Sequence, residues 1–105
     1  MFSLFQRRKP LPRPLFAPGT IELSENVRWL ASKSLIDPLP YVQRHVRGDW
    51  GEVGEAERQA NGTALERGTP MTSRFAITPR LSLVIVTSAD QGKTFVQLPE
   101  ERAAT

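Results

Sequence analysis

The sequence contains no cysteine, a single histidine and no long apolar run. Without cysteine, the chain has neither a disulfide framework nor a thiol nucleophile, and zinc fingers and zinc ribbons are excluded. With one histidine, a multi-histidine metal site is impossible within one chain, and we expect no metal and no cofactor. No apolar stretch approaches the roughly 18 residues that a membrane-spanning helix needs, so we expect no membrane span and a cytoplasmic location.

Net charge is small, and its distribution is uneven. The formal net charge is +3, of which residues 1–18 carry +4 and residues 19–105 carry −1. Four basic residues supply the charge of the first segment, and they are the candidate contacts to nucleic acid: Arg7, Arg8, Lys9 and Arg13. The same segment contains four prolines, which disfavour helix and sheet. We therefore predict a basic, proline-rich flexible tail over residues 1–18 and a single small domain over residues 19–105.

Three segments of the predicted domain have helical patterns. The first begins after Ser24, a suitable N-cap, and the second begins at Asp37-Pro38, where proline favours the first helical position. Leu35 and Leu39 belong to the apolar positions of these two segments. The third helix is predicted over residues 54–68, and we expect its narrow face of small residues to lie against a sheet. That face consists of Ala56, Ala60 and Ala64.

The C-terminal third changes to the two-residue period of β-strands. Residues 71–77 alternate between apolar and polar, residues 81–86 are almost entirely apolar, and residues 94–98 follow a turn at residues 90–93. Helices followed by strands indicate an α+β fold. We predict two to three N-terminal helices packed on a small three-stranded antiparallel sheet.

An unusual string, RHVRGDWG, spans the end of the second predicted helix and the connection to the third, at residues 44–51. Histidine titrates near neutral pH, a neighbouring aspartate can orient or charge it, and arginines can hold an anion. We therefore name five candidate binding residues: Arg44, His45, Arg47, Asp49 and Trp50. In a purely structural interpretation, His45 stacks on Tyr41, Asp49 caps the following helix, and Trp50 fills the core.

The same string has a catalytic interpretation, in which the chain is a metal-independent ribonuclease of the barnase/RelE kind. His45 would be the general acid or base, and Asp49 would orient it. The remaining groups would stabilise and orient the phosphate: Arg74 or Arg80, and Thr87 or Thr94. This analogy rests only on the order of helices and strands. Because there is no second histidine and no recognisable carboxylate–histidine spacing, we assign no catalytic residues and favour a binding protein over an enzyme.

From Arg44 to Glu101 the chain contains an ordered set of motifs. They are Arg44-His45, Gly48-Asp49-Trp50-Gly51, Asn61, Ala64-Leu65, Gly68, Ser73, the strand and turn at residues 85–90, Thr94 and Leu98-Pro99-Glu100. This pattern resembles a family of small proteins encoded on bacterial plasmids and integrative elements, usually labelled plasmid-related and sometimes, without support, as a type I restriction subunit.

The resemblance implies a mobile-element origin and a bacterial cytoplasm, and it implies no particular activity. Small mobile-element proteins commonly act by binding, either to host-defence complexes or to the machinery of plasmid transfer and maintenance. We therefore expect an accessory protein that binds a protein or a protein–nucleic-acid complex, with the ribonuclease that uses His45 as the alternative.

Overall fold

The computed structural model describes residues 13–102, and its fold is α+β, as the sequence predicts. The strands are β1 (Thr20–Leu23), β2 (Met71–Thr78), β3 (Leu81–Thr87) and β4 (Lys93–Gln97). The helices are α1 (Glu25–Ser32), α2 (Leu39–Val46), α3 (Glu55–Arg67) and α4 (Pro99–Arg102). The strands form one sheet in the order β1-β4-β3-β2.

The prediction of a three-stranded antiparallel sheet is correct for β2, β3 and β4 but incomplete. The sheet has a fourth strand, β1, which pairs parallel with β4 and aligns Ile21 with Thr94 and Leu23 with Val96. Only four residues long, β1 has too few positions to show a clear alternation. Its partner also lies more than seventy positions away in the chain, so the strand exists through non-local pairing. The short helix α4 was likewise not predicted.

Local signals explain where the longer helices begin and end. Ser24 caps α1, and its hydroxyl accepts a hydrogen bond of 3.1 Å from the amide of Val27. The helix α3 ends at Gly68, which adopts the left-handed conformation with φ 68°. The predicted alanine face of α3 is correct only for Ala64, because Ala56 and Ala60 are exposed and Asn61 is the other buried residue of this helix. The reason is that α3 lies beside the outer edge of β2, which Asn61 contacts directly.

Within residues 13–102, the apolar core forms two clusters, which contain the apolar side chains on the inward face of the sheet. The larger cluster contains Val27, Ile36, Val42, Phe75, Leu83, Ile85, Val96 and Leu98. The smaller cluster contains Phe16, Val46, Trp50, Val53, Ala64 and Met71. Trp50 therefore fills the core, as the structural interpretation of the RHVRGDWG string predicted.

The last part of the predicted tail packs on this core. Phe16 is only 6% exposed, and the amide of Leu15 donates a hydrogen bond of 2.6 Å to the carbonyl of Val46. Residues 13–18 are therefore attached to the domain, because an aromatic ring within them completes the smaller cluster. Arg13 is exposed. The other predicted nucleic-acid contacts, Arg7, Arg8 and Lys9, lie outside the described residues.

Candidate functional site

His45, the central residue of the predicted site, faces the interior of the protein. It lies on α2 between the buried Val42 and Val46, and its side chain is fully buried. Its Nδ1 atom is 2.5 Å from the hydroxyl of Ser73, and its Nε2 atom is 2.9 Å from the hydroxyl of Thr87. Both ring nitrogens are therefore occupied by side chains of the sheet.

The hydrogen bonds of His45 belong to a longer chain of hydroxyl groups. The hydroxyl of Thr87 lies 2.8 Å from that of Thr94, which donates a 2.6 Å hydrogen bond to the carbonyl of Pro18. A hydroxyl has one proton to donate, so Thr87 must donate to Thr94 and must accept from Nε2 of His45. In a neutral ring Nδ1 is then the acceptor, and the hydroxyl of Ser73 donates to it. Donation runs in one direction, from Ser73 to the carbonyl of Pro18, and His45 has its proton on Nε2.

Two aromatic rings pack against His45. Phe16 meets the imidazole edge-on with ring centroids 5.4 Å apart, and Trp50 does so at 5.6 Å. These geometries are favourable for aromatic pairs. The predicted stacking of His45 on Tyr41 is wrong, because Tyr41 packs instead against Phe75, with ring centroids 5.4 Å apart.

Burial changes the acid–base behaviour of His45. Desolvation disfavours the imidazolium form and lowers the pKa of His45 from 6.5 to about 4. The ring is therefore neutral near pH 7, in agreement with a hydrogen-bond chain that needs an acceptor at Nδ1. A general acid or base must contact the substrate. The side chain of His45 has no surface through which it could do so.

The direction of the hydrogen-bond chain leads to a testable tautomer assignment. We expect a long-range ¹H–¹⁵N NMR spectrum of the folded protein to show His45 protonated at Nε2 and unprotonated at Nδ1. We expect this pattern to stay unchanged between about pH 8 and pH 5, because the pKa lies near 4. A Thr87→Val variant removes the acceptor at Nε2 and should shift that resonance, with Thr63→Val, on the exposed face of α3, as the control. A ring protonated at Nδ1 would contradict the assignment.

Asp49 and the two arginines of the string lie nearer the surface. Asp49 accepts hydrogen bonds from Nε of Arg44 at 2.7 Å and from the amide of Gly51 at 3.1 Å. The hydrogen bond from Arg44 is the main cause that lowers the pKa of Asp49. Asp49 does not cap the following helix as predicted, because Gly54 is the N-cap of α3. Arg47 donates a 3.1 Å hydrogen bond to the carbonyl of Gln43 on the same helix.

The six candidate residues of the ribonuclease hypothesis do not converge. Thr94 is buried beside Thr87, and Arg80 is exposed in the turn between β2 and β3. His45 and Thr87 meet inside the protein, whereas Asp49 is exposed. Arg74 is exposed and lies on the opposite face of the sheet from Ser73, because successive strand residues point to opposite sides. The predicted set therefore forms no common pocket.

The residues after Asp49 cover the outer edge of β2. Arg74 exchanges backbone hydrogen bonds with the carbonyl of Trp50 at 3.0 Å and the amide of Glu52 at 2.7 Å. The carboxylate of Glu52 accepts a 2.8 Å hydrogen bond from the amide of Ala76. Further along, the side-chain amide of Asn61 pairs with both the carbonyl and the amide of Thr72, at 2.7 and 3.0 Å. The end of the RHVRGDWG string, together with Glu52 and Asn61, thus closes a strand edge.

A surface that the sequence did not reveal lies beside β1. A groove of about 330 Å³ is lined by Ile21, Leu23, Ala31, Asp37, Pro38, Leu39 and Val42. Leu39 is 53% exposed and Ile21 is 38% exposed, and Leu35, at 60%, borders an adjoining depression. Helical periodicity assigns Leu35 and Leu39 to buried helix faces, and the four residues of β1 have no recognisable strand pattern. The groove therefore had no signal in the sequence.

Comparisons with known proteins add no further constraint. Within residues 13–102, no helix is long and apolar enough to cross a membrane, and no group of three potential metal ligands is close enough to hold an ion. No protein-family model, curated protein or solved structure matches the chain significantly.

Proposed function

We propose that this chain is an accessory protein of a mobile genetic element and that it acts by binding a protein partner, alone or in a complex with nucleic acid. Inhibition of a host-defence complex and plasmid transfer or maintenance are the two settings for such binding. The mobile-element part of the proposal rests on the resemblance of the segment from Arg44 to Glu101 to the plasmid-related family. The binding part rests on one observation, the exposed apolar groove beside β1.

Single exposed leucines are normal on protein surfaces. Here, however, Ile21 and Leu39 border the same concave surface, and Leu35 continues it. Clustered exposed apolar groups mark interaction sites. Burying a fully exposed side chain of this size contributes about 1.5–3 kcal/mol, so covering the exposed half of each of these side chains contributes about half of that. The groove thus supplies the attraction that a docking partner needs, and its concave shape suits a protruding or extended segment.

The RHVRGDWG string supplies less of a docking surface than predicted. His45 is fully buried and Trp50 is 7% exposed, so neither side chain offers much area to a partner. Arg44 and Asp49 form a half-exposed ion pair with each other. Such pairs contribute about 0.2–1 kcal/mol. We therefore centre the binding proposal on the groove, and the ribonuclease alternative has no supporting contact.

Replacing Leu39 by aspartate should abolish partner binding with little effect on folding. The side chain is half exposed, so its charge is solvated in the free protein and is buried only in the complex. The measurement is capture of partners from the host bacterium with wild-type and variant baits, together with the melting temperature of each bait. Leu65→Asp is the matched control, because Leu65 is 42% exposed on α3 beside β2, at the other edge of the sheet.

Two results would contradict the proposal. One is a set of captured proteins that is the same for the wild type, Leu39→Asp and Leu65→Asp. The other is cleavage of RNA by the purified protein that disappears in His45→Gln while the variant remains folded.

A further inference from the structure

We propose that the groove receives an extended segment of another protein, which adds to the open edge of β1 as a fifth strand. This inference rests on the proposed binding function and names its mode. The segment has apolar side chains at every second position, and these side chains enter the groove.

The backbone of β1 has an open hydrogen-bonding edge. The amides of Thr20 and Ser24 donate to carbonyls next to and within β4, at 3.0 and 2.9 Å. A strand directs the backbone groups of alternate residues to opposite edges. The amide and carbonyl of Glu22 therefore also point towards β4, whereas those of Ile21 and Leu23 point away from it. The guanidinium of Arg28 already occupies the carbonyl of Leu23 at 3.2 Å. Within residues 13–102, the amide and carbonyl of Ile21 and the amide of Leu23 are left without a partner.

The opposite edge of the same sheet is closed. On β2, the outward amide and carbonyl of Thr72 are hydrogen-bonded to Asn61, those of Arg74 to the segment at residues 50–52, and the amide of Ala76 to the Glu52 carboxylate. Proteins commonly cover exposed strand edges because these recruit further strands. This sheet therefore excludes strand addition at β2 and permits it at β1.

The side chains of β1 determine what an added strand presents to the groove. Ile21 and Leu23 both line the groove, together with Leu39 from α2. A strand added about 4.8 Å from β1 has its own side chains in register on the same face. Every second residue of that strand would then lie over the groove and contact Leu39 and Pro38, which selects apolar residues at positions i and i+2.

A second copy of this chain is a poorer occupant than a segment of another protein. Pairing two β1 strands about a two-fold axis aligns only four residues of each copy. Stable dimers use roughly 20–30 residues on each side and about 800 Å² per partner. An isolated extended segment does not need an interface of that size, because its backbone can pair with β1 while its side chains lie in the groove.

The test uses the full chain and a phage-displayed library of random peptides as the probe. We expect the selected peptides to share apolar residues at alternate positions and to lose binding to Leu39→Asp. We expect Ile21→Pro to bind them about tenfold more weakly than Ile21→Ala, the loss of about one hydrogen bond. Both variants lack the isoleucine side chain, and only proline lacks the outward amide. Because that amide does not face β4, the pairing within the sheet should survive, which the melting temperature checks.

Peptide chemistry provides a second measurement that does not depend on the folding of Ile21→Pro. Single N-methyl groups placed along a selected peptide should abolish binding at alternate residues only, since only alternate amides face β1. Equal affinity of Ile21→Pro and Ile21→Ala, with N-methylation tolerated throughout, would overturn strand addition and leave groove binding intact. Peptides insensitive to Leu39→Asp would instead contradict the proposed function.

Two other occupants are distinguished in the same experiment. A dimer in sedimentation equilibrium that Ile21→Pro dissociates would assign the edge to a second copy and overturn the proposal. Tighter peptide binding after serine replaces Phe2, Leu4 and Phe5 in the full chain would assign the groove to the N-terminal residues and would also overturn it.

Discussion

Replacing Gly51 by alanine is expected to lower the free energy of unfolding by about 3 kcal/mol or more. Gly51 has φ 71°, a backbone conformation that costs a non-glycine residue energy. In addition, a Cβ atom at this position would overlap the carbonyl oxygen of Arg74 and the ring of Phe75. The backbone contact cannot be relieved by a side-chain rotation, so the pairing between residues 50–52 and β2 would have to open.

Urea denaturation followed by circular dichroism measures this effect, and Gly62→Ala is its control. Gly62 lies within α3 with open space where the methyl group of alanine would be added, and alanine favours helix more than glycine. We expect Gly62→Ala to stabilise the protein by up to about 1 kcal/mol and to raise its melting temperature by about 4–8 °C per kcal/mol. A Gly51→Ala variant as stable as the wild type would show that the 50–52 segment does not depend on this backbone geometry.

The second large effect is a loss of stability on mild acidification. The pKa of His45 is 6.5 when unfolded and about 4 in the folded protein. Between these pH values the unfolded chain binds the extra proton, so stability is fully present above about pH 6.5 and declines as the pH falls towards 4. At about 1.4 kcal/mol for each pKa unit, the loss over this window is about 3 kcal/mol.

The groups around His45 make this window diagnostic. The side chains that hydrogen-bond to it or stack on it are Ser73, Thr87, Phe16 and Trp50, and none of them titrates. The surface carboxylates Asp49, Asp90 and Glu101 also have lowered pKa values. Their contributions are lost below their ordinary pKa values, 3.8 for the two aspartates and 4.5 for Glu101, which lie at or below the lower end of this range. Urea unfolding at pH 7 and pH 4.5 should therefore show a steep loss for the wild type.

The comparison variant for acidification is His45→Gln. It removes the titrating group and should be less stable at pH 7, because one amide cannot reproduce both hydrogen bonds of the imidazole. Its stability should change much less between pH 7 and pH 4.5. A wild-type protein whose stability is constant over this range would contradict a neutral, buried His45.

Features that depend on local chain chemistry could be predicted from the sequence. The cap at Ser24, the stop at Gly68 and the alternation along β2 each involve residues within a few positions of one another. Strand β1 could not be predicted, because its hydrogen bonds connect it to residues more than seventy positions away. The buried face of α3 could be predicted only in part for a similar reason. Ala64 is buried as expected, but Asn61 is buried because it hydrogen-bonds to the edge of β2, which helical periodicity does not indicate.

The candidate site, too, could be predicted from the sequence only in part. The RHVRGDWG string was correctly recognised as unusual, but its residues pack, pair and close the edge of β2. No local pattern indicates that a histidine with neutral-pH chemistry will lie between hydroxyls 28 and 42 positions away. The groove was missed because periodicity assigns leucines such as Leu39 to the interior, and only the tertiary structure shows that Leu39 stays exposed.

The one-directional hydrogen-bond chain through His45 also bears on cooperativity. Its links join residues separated by 28, 42 and 76 positions, from Pro18 to Thr94 and from His45 to both Ser73 and Thr87. No fragment of the chain contains all of these partners, so partial unfolding at either end interrupts the series. The protonation of His45 should consequently respond to unfolding of the whole domain at once, and its NMR signal is a built-in probe for whether intermediates form.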